Sequence, residues 1–287
     1  MMDFNTITPL TTDALLKAMK ETEGNNVRFG AGYTDLILEL EMKKEPDLTV
    51  INLSQLVDDD FKSITKRESG ITIGSLATMT DVLADTNLQQ FPVLIEAVES
   101  VASVQIRSVA TVGGNICTAS PAGDVSCALV ALDAACEILD TGGKIRTVPI
   151  AEFFTGVKTT VLKRNEILRN VVVPSAKSHS QTISGFVKIG NRNSMEIALA
   201  SLAYHIHTDE NGKVTSAGAS IGSVAKTIMY CHSACEYLLG KSLSQLKDSE
   251  KDTFSKLVME NANPISDIRA SAWYRHQVLE NISKNIF

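Results

Sequence analysis

The chain has 287 residues, of which 44% are hydrophobic and 21% charged, with a net charge of −6. That length supports two or three units with cores of their own. The negative charge disfavours nucleic acid and anionic membrane as partners, because neutralising phosphates takes clustered Lys and Arg. No run approaches the ~20 apolar residues of a membrane span. The opening MMDFNTITPL has neither the basic start nor the apolar run of a secretory leader, so a cytoplasmic protein is expected. The five cysteines (117, 127, 136, 231, 235) are odd in number and form no CxxC pair. No disulfide frame and no zinc or iron–sulfur cassette is therefore indicated. All five histidines lie at or after position 179.

In chain order, the first segment reads as a small βαβ unit. Thr12 is placed to cap a helix from Asp13 to Glu21 with Leu15, Leu16 and Met19 on one face, ended by Gly24. Val27 to Phe29 reads as a strand running into the glycine turn Gly30-Ala31-Gly32-Tyr33-Thr34-Asp35. Thr34 is then expected to cap a helix carrying Leu36, Ile37 and Leu40, and Asp47 to Leu53 is the returning strand. A strand, a glycine turn and a helix start can hold an anion; the same pattern also serves as a plain connection. Asp58-Asp59-Asp60 reads as a solvated turn.

A second unit follows, with strands at Phe61 to Thr65 and Ile71 to Gly74. A short helix capped by Thr80 is expected to run to Ala84, and another from Pro92 to Val101 with Pro92 in its first turn. Arg107 to Asp124, RSVATVGGNICTASPAGD, then has the composition of a phosphate-contacting loop. Gly113 and Gly114 allow close backbone approach, and Thr111, Asn115, Thr118 and Ser120 add polar groups. A bare Gly-Gly also fits a hairpin turn. Asp124 is expected to cap a buried helix from Val125 to Leu132. Strands Glu137 to Leu139, Lys144 to Val148 and Ile167 to Val173 complete the unit, with Thr141-Gly142-Gly143 as a hairpin turn.

The polar link Ser175 to Gln181 marks a boundary. Beyond it, strands come first and helices after. The strands are Phe186 to Ile189, Ile197 to His207 and Lys213 to Ile221. The helices lie near 230–239, 248–262 and 268–283, with Asp267 capping the last and Trp273, Tyr274 and Leu279 packed on the sheet.

Two glycine turns in two units can clamp one dinucleotide, whose phosphates need several N–H donors. The first turn does not match the nicotinamide fingerprint GxGxxG. Together, FGAGYTDL from Phe29 and QIRSVATVGGNICTASPAGD from Gln105 resemble the FAD-binding subunit of the xanthine dehydrogenase family, the molybdenum hydroxylases. The resemblance continues through NEILRNVVVP and GFVKIGNRNSMEIA to DIRASAWYR, over almost the whole chain.

This resemblance implies an α+β fold. A two-lobed FAD-binding domain of the vanillyl-alcohol-oxidase (PCMH) type, residues 1–57 and 58–176, would be followed by a C-terminal α+β domain, 177–287, with a three-stranded antiparallel sheet and helices. It implies that Arg28, Phe29, Gly30, Ala31, Gly32, Tyr33, Thr34 and Asp35 hold the pyrophosphate and adenine side of FAD. Thr111, Val112, Gly113, Gly114 and Asn115 would hold the phosphates and ribityl chain, with Val101, Asp124, Leu168 and Lys188 as further contacts. Leu168 would pack on the flavin from a strand edge, Lys188 would offset charge on reduced flavin, and Ser120 would add a polar contact. Members often carry Gly-Gly where this chain has Gly32-Tyr33, so Tyr33 bears on the local backbone and on solvent access. With no histidine in either loop, noncovalent FAD is expected.

The implied activity is oxidoreductase: electrons arrive from an iron–sulfur subunit, served by a molybdopterin subunit, and leave to NAD or another acceptor. No catalytic residue and no metal site is expected in this chain. Two rival readings are a stand-alone flavin oxidase or dehydrogenase and a non-enzymatic nucleotide-binding assembly module.

Overall fold

The computed structural model describes residues 4–175, 181–192 and 195–287. Most of the expected boundary link, 176–180, lies outside these residues. The first lobe comprises β1 (Asn5–Ile7), α1 (Thr12–Glu21), β2 (Val27–Gly30), α2 (Leu36–Met42) and β3 (Thr49–Asn52). Its strands form a parallel sheet in the order β1-β3-β2. Parallel neighbours need crossover connections, which α1 and α2 supply. α1 buries Leu15, Ala18 and Met19. Its cap is Thr11, whose hydroxyl accepts from the Ala14 N–H at 3.3 Å. Thr12, the expected cap, instead donates both its N–H and its hydroxyl to Asp58.

The second lobe comprises α3 (Asp59–Lys62), β4 (Ile64–Arg67), β5 (Gly70–Gly74), α4 (Met79–Ala84), α5 (Pro92–Glu99), α6 (Val104–Arg107), α7 (Val112–Thr118), α8 (Asp124–Ala131), β6 (Ala135–Asp140), β7 (Ile145–Pro149), α9 (Ile150–Phe153), β8 (Phe154–Gly156), β9 (Thr159–Thr160) and β10 (Glu166–Pro174). An antiparallel sheet, β4-β5-β10-β6-β7, is its frame. The acidic run is not merely solvated. It opens α3, where a strand was expected, and turns Phe61 fully inward onto Leu15, Ile51, Leu76 and Ile167. Asp60 also pairs with Arg169 of β10 and so holds α3 to the second lobe's own sheet, while the shared core and the Thr12–Asp58 hydrogen bonds join the two lobes. α4 is capped by Thr78, two residues before the expected Thr80, because Thr78 and Asp81 form a reciprocal capping box.

The C-terminal unit comprises β11 (Gln181–Ile189), β12 (Ala200–Thr208), β13 (Val214–Gly222), β14 (Met229–Tyr230), α10 (His232–Leu238), α11 (Asp248–Met259) and α12 (Ala272–Lys284). Its antiparallel sheet has four strands rather than three, in the order β11-β12-β13-β14. Two residues of β14 are too few to show alternation in the sequence. Side chains alternate across β12. Leu202 and Ile206 join the helix-side core with Phe254 and Leu279, while Ala203 joins the core of the second lobe. A Cβ on Gly218 would lie 1.9 Å from the Ala131 carbonyl oxygen, so this sheet meets α8 backbone to backbone.

α12 begins at Ala272, four residues later than expected. Asp267 accepts from the N–H groups of Arg269 and Ala270 and pairs with Arg275 at 2.8 Å, leaving Ser271 to cap the helix. Leu279 is buried, but Trp273 is 72% exposed and does not pack on the sheet. The buried Arg275 also donates to the carbonyls of Leu199 and Ser223. Replacing it by Met should therefore lower stability by about 3–5 kcal/mol, as expected when one partner of a buried ionic network is removed; urea unfolding measures this. The N–H groups of Arg269 and Ala270, with Arg275, push the Asp267 carboxyl down to about 2. An unfolded aspartate titrates near ~3.9. The stability contributed by Asp267 should thus be complete above about pH 4 and disappear as pH falls toward 2, a difference that Asp267→Asn should abolish in the same unfolding series.

Candidate cofactor site

A cleft of about 1390 Å³ opens between the two N-terminal lobes, and both glycine turns line it. Gly32 decides how they meet. A Cβ there would stand 2.0 Å from the Val109 carbonyl oxygen and 3.1 Å from the Ala110 Cα. Only glycine lets the first turn rest on the chain just before Thr111. Tyr33 follows with φ +60°, the left-handed region that favours glycine. Its ring folds back over Gly30, where a Cβ would lie 2.3 Å from Cζ, and packs with Leu36, Leu40 and Val50. The unusual side chain is accommodated because Gly30 leaves a gap beneath it. Desolvation there raises the Tyr33 phenol above its ordinary range. Among the described residues, the N–H groups of Ala31, Gly32, Tyr33, Thr34 and Asp35 donate no hydrogen bond within the protein. Thr34 does not cap α2 as expected. Asp35 occupies the cap position, and its carboxylate accepts from Thr118 across the cleft at 3.1 Å.

The second turn differs from its expected form. Gly113 and Gly114 are not in an irregular loop but in the first turn of α7, capped by the Thr111 hydroxyl, which accepts from the Gly114 N–H at 3.0 Å. The two glycines do different work. Gly113 is buried, its N–H bonded to the Ser75 carbonyl at 2.7 Å, and a Cβ would meet Ser75 at 2.6 Å. Gly114 is open to the cleft, where a Cβ would find only the Thr111 hydroxyl within 4 Å. The N–H groups of residues 112–115 are all engaged inside the protein. Free backbone donors thus come from the first turn, while the second presents Thr111, Gly114, Asn115 and Thr118 as surface.

Val101 also lines the cleft. Just behind it, the Lys188 ammonium from β11 lies 2.6 Å from the Asp124 carboxylate and donates to the Ser100 carbonyl at 3.1 Å. Ser100 donates to the same carboxylate oxygen, and Arg107 donates to the Val101 carbonyl at 2.7 Å. Asp124 is the first residue of α8, after Gly123 at the cap, and is buried. Burial pushes its carboxyl up despite Lys188, and its Oδ1 has no hydrogen-bond partner among the described residues. Leu168 is 2% exposed on β10, the central strand of its sheet rather than an edge, next to a bulge at Arg169. Ser120 accepts from the Ala122 N–H. Gly30, Val112, Gly113, Ser120, Asp124, Leu168 and Lys188 do not line the cleft itself; the other expected site residues do. Lys158, Glu39 and Cys117 on its wall were not singled out by sequence: Lys158 and Glu39 stand in stretches of ordinary surface composition, and Cys117, though inside the Arg107–Asp124 motif, is neither a glycine nor a hydroxyl or amide donor.

Residues 2–176 match the family of the FAD binding domain in molybdopterin dehydrogenase, and residues 185–287 the CO dehydrogenase flavoprotein C-terminal domain. The chain is a member of the FAD-binding subunits of the molybdenum hydroxylases. It is 29% identical over 277 residues to the glyceraldehyde dehydrogenase medium chain of Sulfolobus acidocaldarius, covering 96% of this chain and 95% of that one. It is 30% identical over 259 residues to the xanthine dehydrogenase FAD-binding subunit of Escherichia coli O157:H7, covering 89% and 86%. Its fold matches CO dehydrogenase from Oligotropha carboxidovorans with a TM-score of 0.89 at 23% identity, covering 98% and 95% of the two chains.

The cleft of this FAD-binding subunit fits the cofactor on its own terms. Its volume exceeds the roughly 300–1,000 Å³ of ordinary small-molecule pockets, and a row of unengaged N–H groups suits a diphosphate. Two substitutions test the geometry by titrating flavin fluorescence. Gly32→Ala should weaken FAD binding about 10- to 100-fold, the equivalent of an overpacking cost of ~1–3 kcal/mol. Gly114→Ala should weaken binding too, but without loss of thermal stability, because alanine is favoured over glycine in a helix by up to ~1 kcal/mol.

Proposed function

We propose that this chain is the electron-transfer subunit of a heteromeric molybdenum hydroxylase and holds FAD noncovalently between its two N-terminal lobes. The observation that carries the reading is the convergence of the two glycine turns on one cleft, with five unengaged N–H groups on its wall. We take residues 1–57 and 58–176 as the lobes of a PCMH-type FAD-binding domain and 177–287 as the C-terminal domain. The turn from Arg28 to Asp35 would bind the pyrophosphate and adenine side. Thr111, Gly114, Asn115 and Val101 would face the rest of the cofactor. The buried set Asp124, Lys188 and Leu168 would support that wall and exclude water from it.

FAD, when bound, supplies redox chemistry, accepting electrons from an iron–sulfur subunit fed by a molybdopterin subunit and delivering them to NAD or another acceptor. The protein's own part is placement, a dry surface and electrostatics. Electron exchange of this kind needs no general acid or base in the chain. Among the described residues no group of three or more His, Cys, Asp or Glu is placed to hold a metal ion. No described histidine lines the cleft, which favours noncovalent attachment over a histidyl link. No helix among the described residues is long and apolar enough to cross a membrane.

The protein purified from its native source, alone or in complex, tests this directly. It should be yellow, release all of its FAD under mild acid, and copurify with iron–sulfur and molybdopterin subunits. A protein that oxidises an alcohol with no other subunit present would establish the stand-alone oxidase instead. One that gains no flavin absorbance on reconstitution with FAD would leave the assembly module.

A further inference from the structure

The cleft mouth is crossed by a charged bridge between the two lobes. Lys158 stands at the tip of the β8–β9 hairpin with φ +55°, its own N–H bonded to the Ala119 carbonyl at 3.0 Å. This anchors the hairpin to the end of α7, next to Thr118. From there the Lys158 ammonium reaches across to Glu39 of α2 at 2.5 Å. Glu39 lies one helical turn beyond Asp35, to whose carbonyl its N–H is bonded, on the helix that follows the row of unengaged N–H groups at 31–35, and all of these residues line the same cleft. Arg28 completes the group. It is 3.7 Å from Glu39 and 2.9 Å from Glu45. The Arg28 guanidinium holds the Glu45 carboxyl below the usual carboxylate range. Arg28, Glu39 and Lys158 all line the cleft.

Within this group two cations are paired with two carboxylates. A diphosphate brought to the N–H row would place about two further negative charges beside Glu39. Arg28 is committed to Glu45, which is only 11% exposed. Lys158 is differently placed. Its side chain is 61% exposed, its flexible stem can turn, and an exposed Lys–Glu pair contributes little to folding. A diphosphate beside Glu39 would compete with it for the ammonium, since phosphate oxygens accept strong charge-assisted hydrogen bonds.

We propose that Lys158 is a diphosphate ligand of the cofactor site, held by Glu39 until the anion arrives, and that its side chain then exchanges the Glu39 carboxylate for a phosphate oxygen while the hairpin stays anchored to α7. This rests on the FAD reading above and adds to it a residue in the opposite lobe from the N–H row.

The test is equilibrium binding of FAD and of riboflavin, which lacks the diphosphate, to the full-length apoprotein, followed by flavin fluorescence. Lys158→Gln should weaken FAD about tenfold, the scale of one charge-assisted hydrogen bond, and leave riboflavin unchanged. Lys158→Arg should restore FAD affinity. The salt dependence of FAD binding should be shallower in Lys158→Gln than in the wild type. Glu39→Gln removes the competitor and should tighten FAD or leave it unaltered. The proposal is overturned if Lys158→Gln binds FAD like the wild type, if it weakens riboflavin equally, or if Glu39→Gln weakens FAD as much as Lys158→Gln does. The last result would mark the pair as a strap between lobes with no role toward the anion. A wild-type protein that binds no FAD would instead overturn the reading on which the proposal rests.

Discussion

The approach of the Gly32 backbone to the Val109 carbonyl governs the architecture of the site. The absence of one side chain lets a turn from a parallel three-stranded lobe rest on the segment that leads into α7 of an antiparallel five-stranded lobe. The shared core around Phe61 brings the lobes together, but hydrophobic burial is not directional and would not by itself set two particular turns face to face. The backbone contact does so, and the Thr118–Asp35 hydrogen bond fixes its register.

The walls of the cleft are chemically unequal. On the first lobe, five successive N–H groups are unspent, and the strained Tyr33 is tolerated because its ring fills the gap over Gly30. A left-handed backbone in a non-glycine residue costs of order 1–3 kcal/mol and tends to persist where it shapes a functional surface. On the second lobe, the equivalent donors are used up by Ser75, Ala77 and Thr111, so that wall offers shape and side-chain hydroxyls. Such a division suits a ligand with a charged middle and a large planar end.

The C-terminal unit is not an appendage. Its sheet packs on α8 through Gly218, and Lys188 inserts an ammonium between Asp124 and the Ser100 carbonyl. A buried pair of this kind is costly to desolvate. It ties three elements together directly behind Val101, and it leaves one carboxylate oxygen without a partner. Any shift of β11 would therefore reach the cleft wall.

The sequence alone determined what depends on local chemistry. The glycine turns, the Pro92 helix, the hairpins at Gly143 and Gly212 and the order of strands before helices in the last unit were all legible, because φ > 0, missing N–H groups and apolar period are properties of short segments. The long motifs around Gly32 and Gly113 were also enough to point to the FAD-binding family. Only the tertiary structure decided matters that depend on distant partners. Gly113 and Gly114 became helical because Ser75 and Ala77 receive the first N–H groups of α7. Asp58 became a lobe tie because Thr12 lies opposite it, and Asp60 became an anchor of α3 on β10 because Arg169 lies opposite it. Asp267 became a partner for Arg275 instead of a cap, and β14 formed because β13 offered it an edge. In each case the group's alternatives are close in energy locally, and a contact elsewhere in the fold selects among them.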